Sequence, residues 1–76
     1  MMFAAAGDLV RLGDKAFASG QYTQAIDMYS QAIGLDPKSQ LFFFKRAAVH
    51  LSKKSFDQAL SDLDKALALD ATFIKV

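Results

Sequence analysis

Apolar residues recur at helical spacing in four stretches of the chain, and turn-forming residues separate the stretches. In residues 8–19, Leu9, Leu12, Ala16 and Phe17 take the three- and four-residue steps of one helix face, with Val10 and Gly13 widening the stripe. Gly20-Gln21 breaks that pattern. A second helix is predicted over residues 22–34, with Ala25, Ile26, Tyr29, Ala32 and Ile33 on one face. Pro37 stops it, because proline lacks an N–H and disfavours helical geometry at Asp36. Ser39 is a suitable cap for a third helix over residues 40–52. Ser55 and Gln58 have the spacing of a capping box, which opens a fourth helix ending near residue 69. Thr72 would cap a fifth, of which residues 73–76 remain. The pattern predicts an all-α protein.

The second pair of helices repeats the first. Gln24, Ala25, Ala32, Leu35 and Asp36 return as Gln58, Ala59, Ala66, Leu69 and Asp70, each thirty-four positions on. Tyr22 is answered by Phe56, Ile26 by Leu60, Ile33 by Leu67 and Gly13 by Ala47. Such a period suits antiparallel helical hairpins that bury their apolar faces only by stacking on one another. Stacked hairpins make a groove that holds something; they rarely carry out chemistry. Two turn signals do not repeat: Gly20 becomes Lys54 and Pro37 becomes Ala71. That loss predicts a junction at residues 69–72 able to straighten, fusing the fourth helix with the stub and letting chains exchange elements. The sequence stops inside a third unit, which reads as a fragment boundary.

Composition narrows the function. Seventy-six residues make one small domain, with no cysteine and one histidine, His50, too few ligands for a structural zinc site. Nine basic against eight acidic residues give a net charge of +1, without the basic excess of a nucleic-acid binder. No nucleophile–base pair, metal cluster or Gly-rich phosphate loop is present, so neither an enzyme nor a cofactor is expected. No apolar run is long enough to span a membrane, and the first residues lack a charged leader. The apolar share of 53% is high for so short a chain and implies surface meant to be covered.

The period and the residues on it resemble the tetratricopeptide repeat. Gly13, Ala25, Ala47 and Ala59 match the small residues that let paired helices approach, to roughly 8 Å between axes. Tyr22 and Phe56 match the aromatic opening each second helix, Ala32 and Ala66 its later alanine, and Leu35-Asp36-Pro37 the closing Leu-Asp-Pro. The resemblance implies an N-terminal extension at 1–5, repeats at 6–39 and 40–73, and the start of a third at 74–76. It further implies a protein-interaction scaffold whose first helices line a concave groove.

The family's best-known activity is gripping the C-terminal carboxylate of heat-shock chaperones through lysines, an arginine and two asparagines at fixed places. Here those places hold Val10, Asp14, Lys45 and Lys75, and the arginine's lies beyond the chain. One match in four is no clamp, and Asp14 sets a carboxylate where the ligand's would sit. The same mapping implies an apolar groove of Val10, Phe17, Phe44, Ala48 and Leu51, with Asp14 and with Lys45 free to pair an acidic ligand residue. Phe44 either meets that ligand or packs between first helices. In the triplet Phe42-Phe43-Phe44, Phe43 fits the packed aromatic and the other two cover other surfaces.

Phe43-Phe44-Lys45-Arg46-Ala47 is also similar to the Tyr-Tyr-Lys-Arg-Ala of J-domain co-chaperones that carry such arrays. Those proteins hold unfolded polypeptides and pass them to heat-shock chaperones. The expected role is therefore a co-chaperone-like scaffold holding a peptide or unfolded client in the cytoplasm, or in the endoplasmic reticulum lumen for a J-domain member. The alternative is a module that assembles with copies of itself. His50 is expected as a packed, hydrogen-bonded core residue. Asp57, Asp62 and Asp64 with Lys65 read as a solvated face of the fourth helix or a weak acidic docking patch. Leu60, Leu63 and Leu67 either pack on the third helix or form a self-association surface.

Overall fold

The computed structural model describes residues 5–69. They form α1 (Ala6–Ala18), α2 (Tyr22–Leu35), α3 (Gln40–Ser52) and α4 (Phe56–Leu69). The expected fifth helix, its Thr72 cap, Lys75 and the 70–72 part of the junction lie outside the described residues. Neighbours in the chain pack as neighbours in space, α1 on α2, α2 on α3 and α3 on α4. The fold is two stacked helical hairpins, all-α as the periodicity predicts.

Each helix starts and stops for a local reason. At the head of α1, Asp8 reaches back to accept the Ala5 N–H at 3.3 Å, and its charge suits the positive end of the helix dipole. Ser39 caps α3, its hydroxyl accepting the Phe42 N–H at 3.4 Å. α1 ends with Gly20 at φ 78°, the left-handed conformation that closes many helices. The N–H of Gln21 donates to the Ala16 carbonyl at 2.8 Å and that of Gly20 to Phe17 at 3.0 Å.

The turn after α3 forms without the glycine of the first unit. Losing the glycine does not weaken its geometry, because Lys54 takes the same conformation at φ 63°. Ser55 and Lys54 N–H groups bond the His50 and Leu51 carbonyls at 2.8 and 3.0 Å, the pattern of the first turn again. What the substitution costs is strain, since a side chain in the left-handed region is disfavoured by roughly 1–2 kcal/mol. Lys54→Gly is accordingly expected to raise stability by about 1 kcal/mol, or about 4–8 °C in melting temperature for a domain of this size. Thermal unfolding of the two proteins checks this.

The core is small and made by small residues. Leu9, Val10, Ala16, Ala25, Tyr29, Ala32 and Val49 form its buried cluster, and Phe43 and Ala47 of α3 and Ala59 and Ala66 of α4 are buried as well. Gly13 is expected to face the small residues of its partner helix; the structure instead sets it against the Tyr29 ring, where a Cβ would lie 2.5 Å from Cε1. Leu12, placed by its spacing on the apolar stripe of α1, is exposed. It occupies the outward edge of the stack, where no earlier helix covers it among the described residues. On α4, Leu60 and Leu67 are exposed as well, and Leu63 is partly buried.

Candidate functional site

α3 presents an apolar row. Leu41, Phe44, Ala48 and Leu51 follow steps of three and four, so they share one side of the helix. Leu41, Phe44 and Leu51 are exposed, at 56%, 38% and 47%, and Ala48 is partly buried. The triplet divides as its 100° steps require, with Phe43 buried, Phe42 partly buried against the core and Phe44 left outside. Leu41 is a member of this row that the sequence reading missed, although the spacing of Phe44, Ala48 and Leu51 points back to it.

α1 contributes differently. Phe17 is partly buried and meets Tyr22 edge-to-face, the ring centroids 5.7 Å apart. Val10 lies in the core cluster and has little surface to offer a ligand. Asp14 and Lys45 are brought together directly, with Lys45 Nζ 3.1 and 3.4 Å from the two Asp14 carboxylate oxygens. The Tyr29 hydroxyl donates to the same carboxylate. Burial, and then the Asp14 hydrogen bond and charge, raise the Tyr29 pKa well above its usual value, so the phenol stays a donor. Lys45 is therefore not the unengaged cation expected from the sequence; its partner is Asp14. The pair neutralises itself and leaves an apolar row beside a satisfied polar contact.

Beneath that row lies a polar cluster. Asp62, expected on a solvated face, is 3% exposed. Arg46 grips it with two bonds, Nε to Oδ2 at 2.8 Å and Nη2 to Oδ1 at 2.7 Å, the fork geometry that makes buried carboxylates tolerable. Arg46 Nη1 also donates to Ser30 Oγ on α2 at 2.9 Å, and the guanidinium lies 5.7 Å from the centre of the Phe43 ring. One arginine on α3 thus joins α2 and α4.

His50 borders this cluster with Nε2 3.7 Å from Asp62 Oδ2, while its buried Nδ1 has no hydrogen-bond partner. It is packed as expected, but its ring makes no hydrogen bond among the described residues. Burial lowers its pKa below the usual 6.5, Asp62 opposes that shift, and Arg46 and Lys53 add to it. Folded His50 therefore takes up a proton at lower pH than the unfolded chain does. Below pH 6.5 the unfolded state holds more protons, and stability falls as pH drops through the window under that value. Urea midpoints at pH 7.5, 6.5 and 5.5 are expected to decline in that order, and His50→Gln to flatten the decline between the last two.

No helix among the described residues is long and apolar enough to cross a membrane. Hairpins stacked in chain order, with an apolar row exposed on a first helix, define a helical-repeat protein. The chain belongs to the tetratricopeptide repeat family, whose profile spans residues 10–72. That family is a non-catalytic protein-interaction module, and the chain is a protein-interaction scaffold of this kind.

Three relatives match it over most of its length. It is 38% identical over 72 residues to the small glutamine-rich tetratricopeptide repeat-containing protein 2 of Saccharomyces cerevisiae, covering 95% of this chain and 21% of that protein. It is 39% identical over 57 residues to the Hsp70-Hsp90 organizing protein 2 of Arabidopsis thaliana, covering 75% and 10%. To the DnaJ homolog subfamily C member 7 homolog of Schizosaccharomyces pombe it is 37% identical over 67 residues, covering 83% and 14%. The chain thus spans a fifth or less of the length of two of these relatives and 21% of the other.

Proposed function

We propose that this chain holds a peptide or unfolded segment of a partner protein against an apolar concave groove, as part of a cytoplasmic co-chaperone, and without a carboxylate clamp. The single observation that carries this reading is the exposed row of Leu41, Phe44 and Leu51 beside a lysine already paired to Asp14. Three large apolar side chains on one helix face reward an apolar ligand, with roughly 25 cal/mol for each Å² covered. Phe17 and Ala48 complete the groove, and Val10 supports it from the core. Repeats at 6–39 and 40–73 are the units of this reading. Relatives named for organising Hsp70 and Hsp90 and for a DnaJ subfamily support a place in a heat-shock chaperone system.

Because Lys45 is engaged, the groove takes the interior of a segment rather than its C-terminal carboxylate. The test is an NMR titration with an apolar peptide in two forms, free acid and C-terminal amide. Both are expected to bind alike, with amide shifts at Phe17, Phe44, Lys45 and Leu51. Phe44→Ala is expected to weaken binding about tenfold. Much tighter binding of the free acid, or unchanged affinity of Phe44→Ala, overturns the groove assignment.

A further inference from the structure

Asp14 is held from the core side and exposed on the other. The Tyr29 hydroxyl donates to its Oδ1; Tyr29 is 1% exposed, and its hydroxyl has no other acceptor among the described residues. Lys45 Nζ lies 3.1 Å from the same oxygen and 3.4 Å from Oδ2. An ionised carboxylate offers about four acceptor sites, so Oδ2 keeps room for a further donor. Arg11, one turn earlier on α1, pairs with Asp8 instead. Of the linked pair, the Asp14 side chain is the more exposed, 45% against 29% for Lys45.

Packing does not require this arrangement. Thirty-four positions on, Asp14 becomes Ala48 and Tyr29 becomes Leu63, so carboxylate and phenol are both missing from the second hairpin, where α3 still packs on α4. The exposure of Asp14 is measured with both helices that it links, α1 and α3, in place.

The two charges are not equivalent toward a ligand. Lys45 stands on a flexible four-carbon stem and can exchange the carboxylate for water. Asp14 cannot move away, because the buried phenol would then lose its acceptor. A ligand carboxylate therefore reaches Lys45 only beside a fixed like charge. A ligand cation finds a fixed acceptor whose present partner can step aside.

We propose that Asp14 selects ligands by pairing with a basic residue set within their apolar segment, an inference that rests on the groove proposed above. Tyr29 is the positioning residue, holding the carboxylate for that cation. Arginine suits the place best, since a guanidinium can bond both carboxylate oxygens at once. The apolar residues around it then lie along Phe17, one turn beyond Asp14 on α1, and along the α3 row.

The test titrates the whole 76-residue chain with three apolar peptides, blocked at both ends, that differ only in a central arginine, glutamine or glutamate. Calorimetry and amide shifts follow binding. The arginine peptide is expected to bind about fivefold more tightly than the glutamine peptide, and the glutamate peptide most weakly. Asp14→Asn, which keeps an acceptor for the phenol, is expected to bring the arginine peptide down to the unchanged affinity of the glutamine peptide. Tyr29→Phe is expected to lower the arginine preference, again without altering glutamine binding. Lys45→Gln removes the competing cation and is expected to raise the preference about threefold. The comparison on the unaltered chain decides the matter even where a variant is unstable. Equal affinity of the three peptides, with shifts at Phe17 and Leu51, overturns the inference and leaves the groove standing. Tightest binding of the glutamate peptide overturns it by making Lys45 the reader. If no peptide binds, the groove falls and the selectivity with it.

Discussion

Asp62→Ala is expected to remove about 3–5 kcal/mol of stability, the usual cost of leaving one partner of a buried ion pair alone. Arg46 would keep its bond to Ser30 and its place near the Phe43 ring, but lose both bonds to carboxylate in a site where its side chain is only 18% exposed. A domain of this length has roughly 4–11 kcal/mol in total, so this one change removes from about a quarter to all of its stability. The loss comes from an uncompensated charge, not from the intrinsic worth of the pair. Arg46→Met combined with Asp62→Leu is therefore expected to recover most of the stability, because two apolar side chains of similar size need no partners. Urea unfolding of Arg46→Met, Asp62→Leu and the double variant measures the coupling, which should exceed 2 kcal/mol and have the sign of rescue. Additive losses would mean that the cluster matters for its shape alone.

The second large effect concerns Gly13. Alanine there gains about 1 kcal/mol from helix propensity, yet its Cβ would lie 2.5 and 2.7 Å from Cε1 and Cδ1 of Tyr29. Overpacking costs typically 1–3 kcal/mol, and the upper end applies because the ring cannot retreat: it is 1% exposed and its hydroxyl is tied to Asp14. The net expectation for Gly13→Ala is a loss of about 2 kcal/mol. The second unit shows how the clash is relieved, since its counterparts are Ala47 and Leu63, one side chain larger and the other smaller. Gly13→Ala with Tyr29→Leu is thus expected to be more stable than Gly13→Ala alone, again by urea unfolding. A double variant less stable than either single one would break the size argument.

The fold was legible because repetition amplifies weak signals. Ala25 or Tyr22 alone says little, but a matching residue thirty-four positions on fixes a hairpin and its register. Pairings between helices were harder to read. Asp62 looked solvated beside Asp57 and Asp64, because the neutralising Arg46 lies on another helix. Yet its counterpart in the first unit is Met28, an apolar residue packed on the core, and its spacing from Ala59 and Ala66 puts it on the buried face. Lys45 and Asp14 were both placed at the groove, but nothing along the chain says that two residues on separate helices will satisfy each other. Lys54 is legible only in the backbone, because a turn can keep its shape at the cost of strain.

The two charged links differ in how they resist being pulled apart. Arg46 links α2 and α4 through three bonds, to a buried Asp62 and a partly buried Ser30. Lys45 and Asp14 span α3 and α1 with side chains 29% and 45% exposed, a contact worth at most about 1 kcal/mol and weakened by salt. The stack thus has a stiff spine and a compliant rim. In the proposed groove, a bulky guest would spread the first helices by stretching the weaker link while the hairpins keep their hold on each other. On that reading, ionic strength would control how wide the groove opens, without any change in the fold behind it.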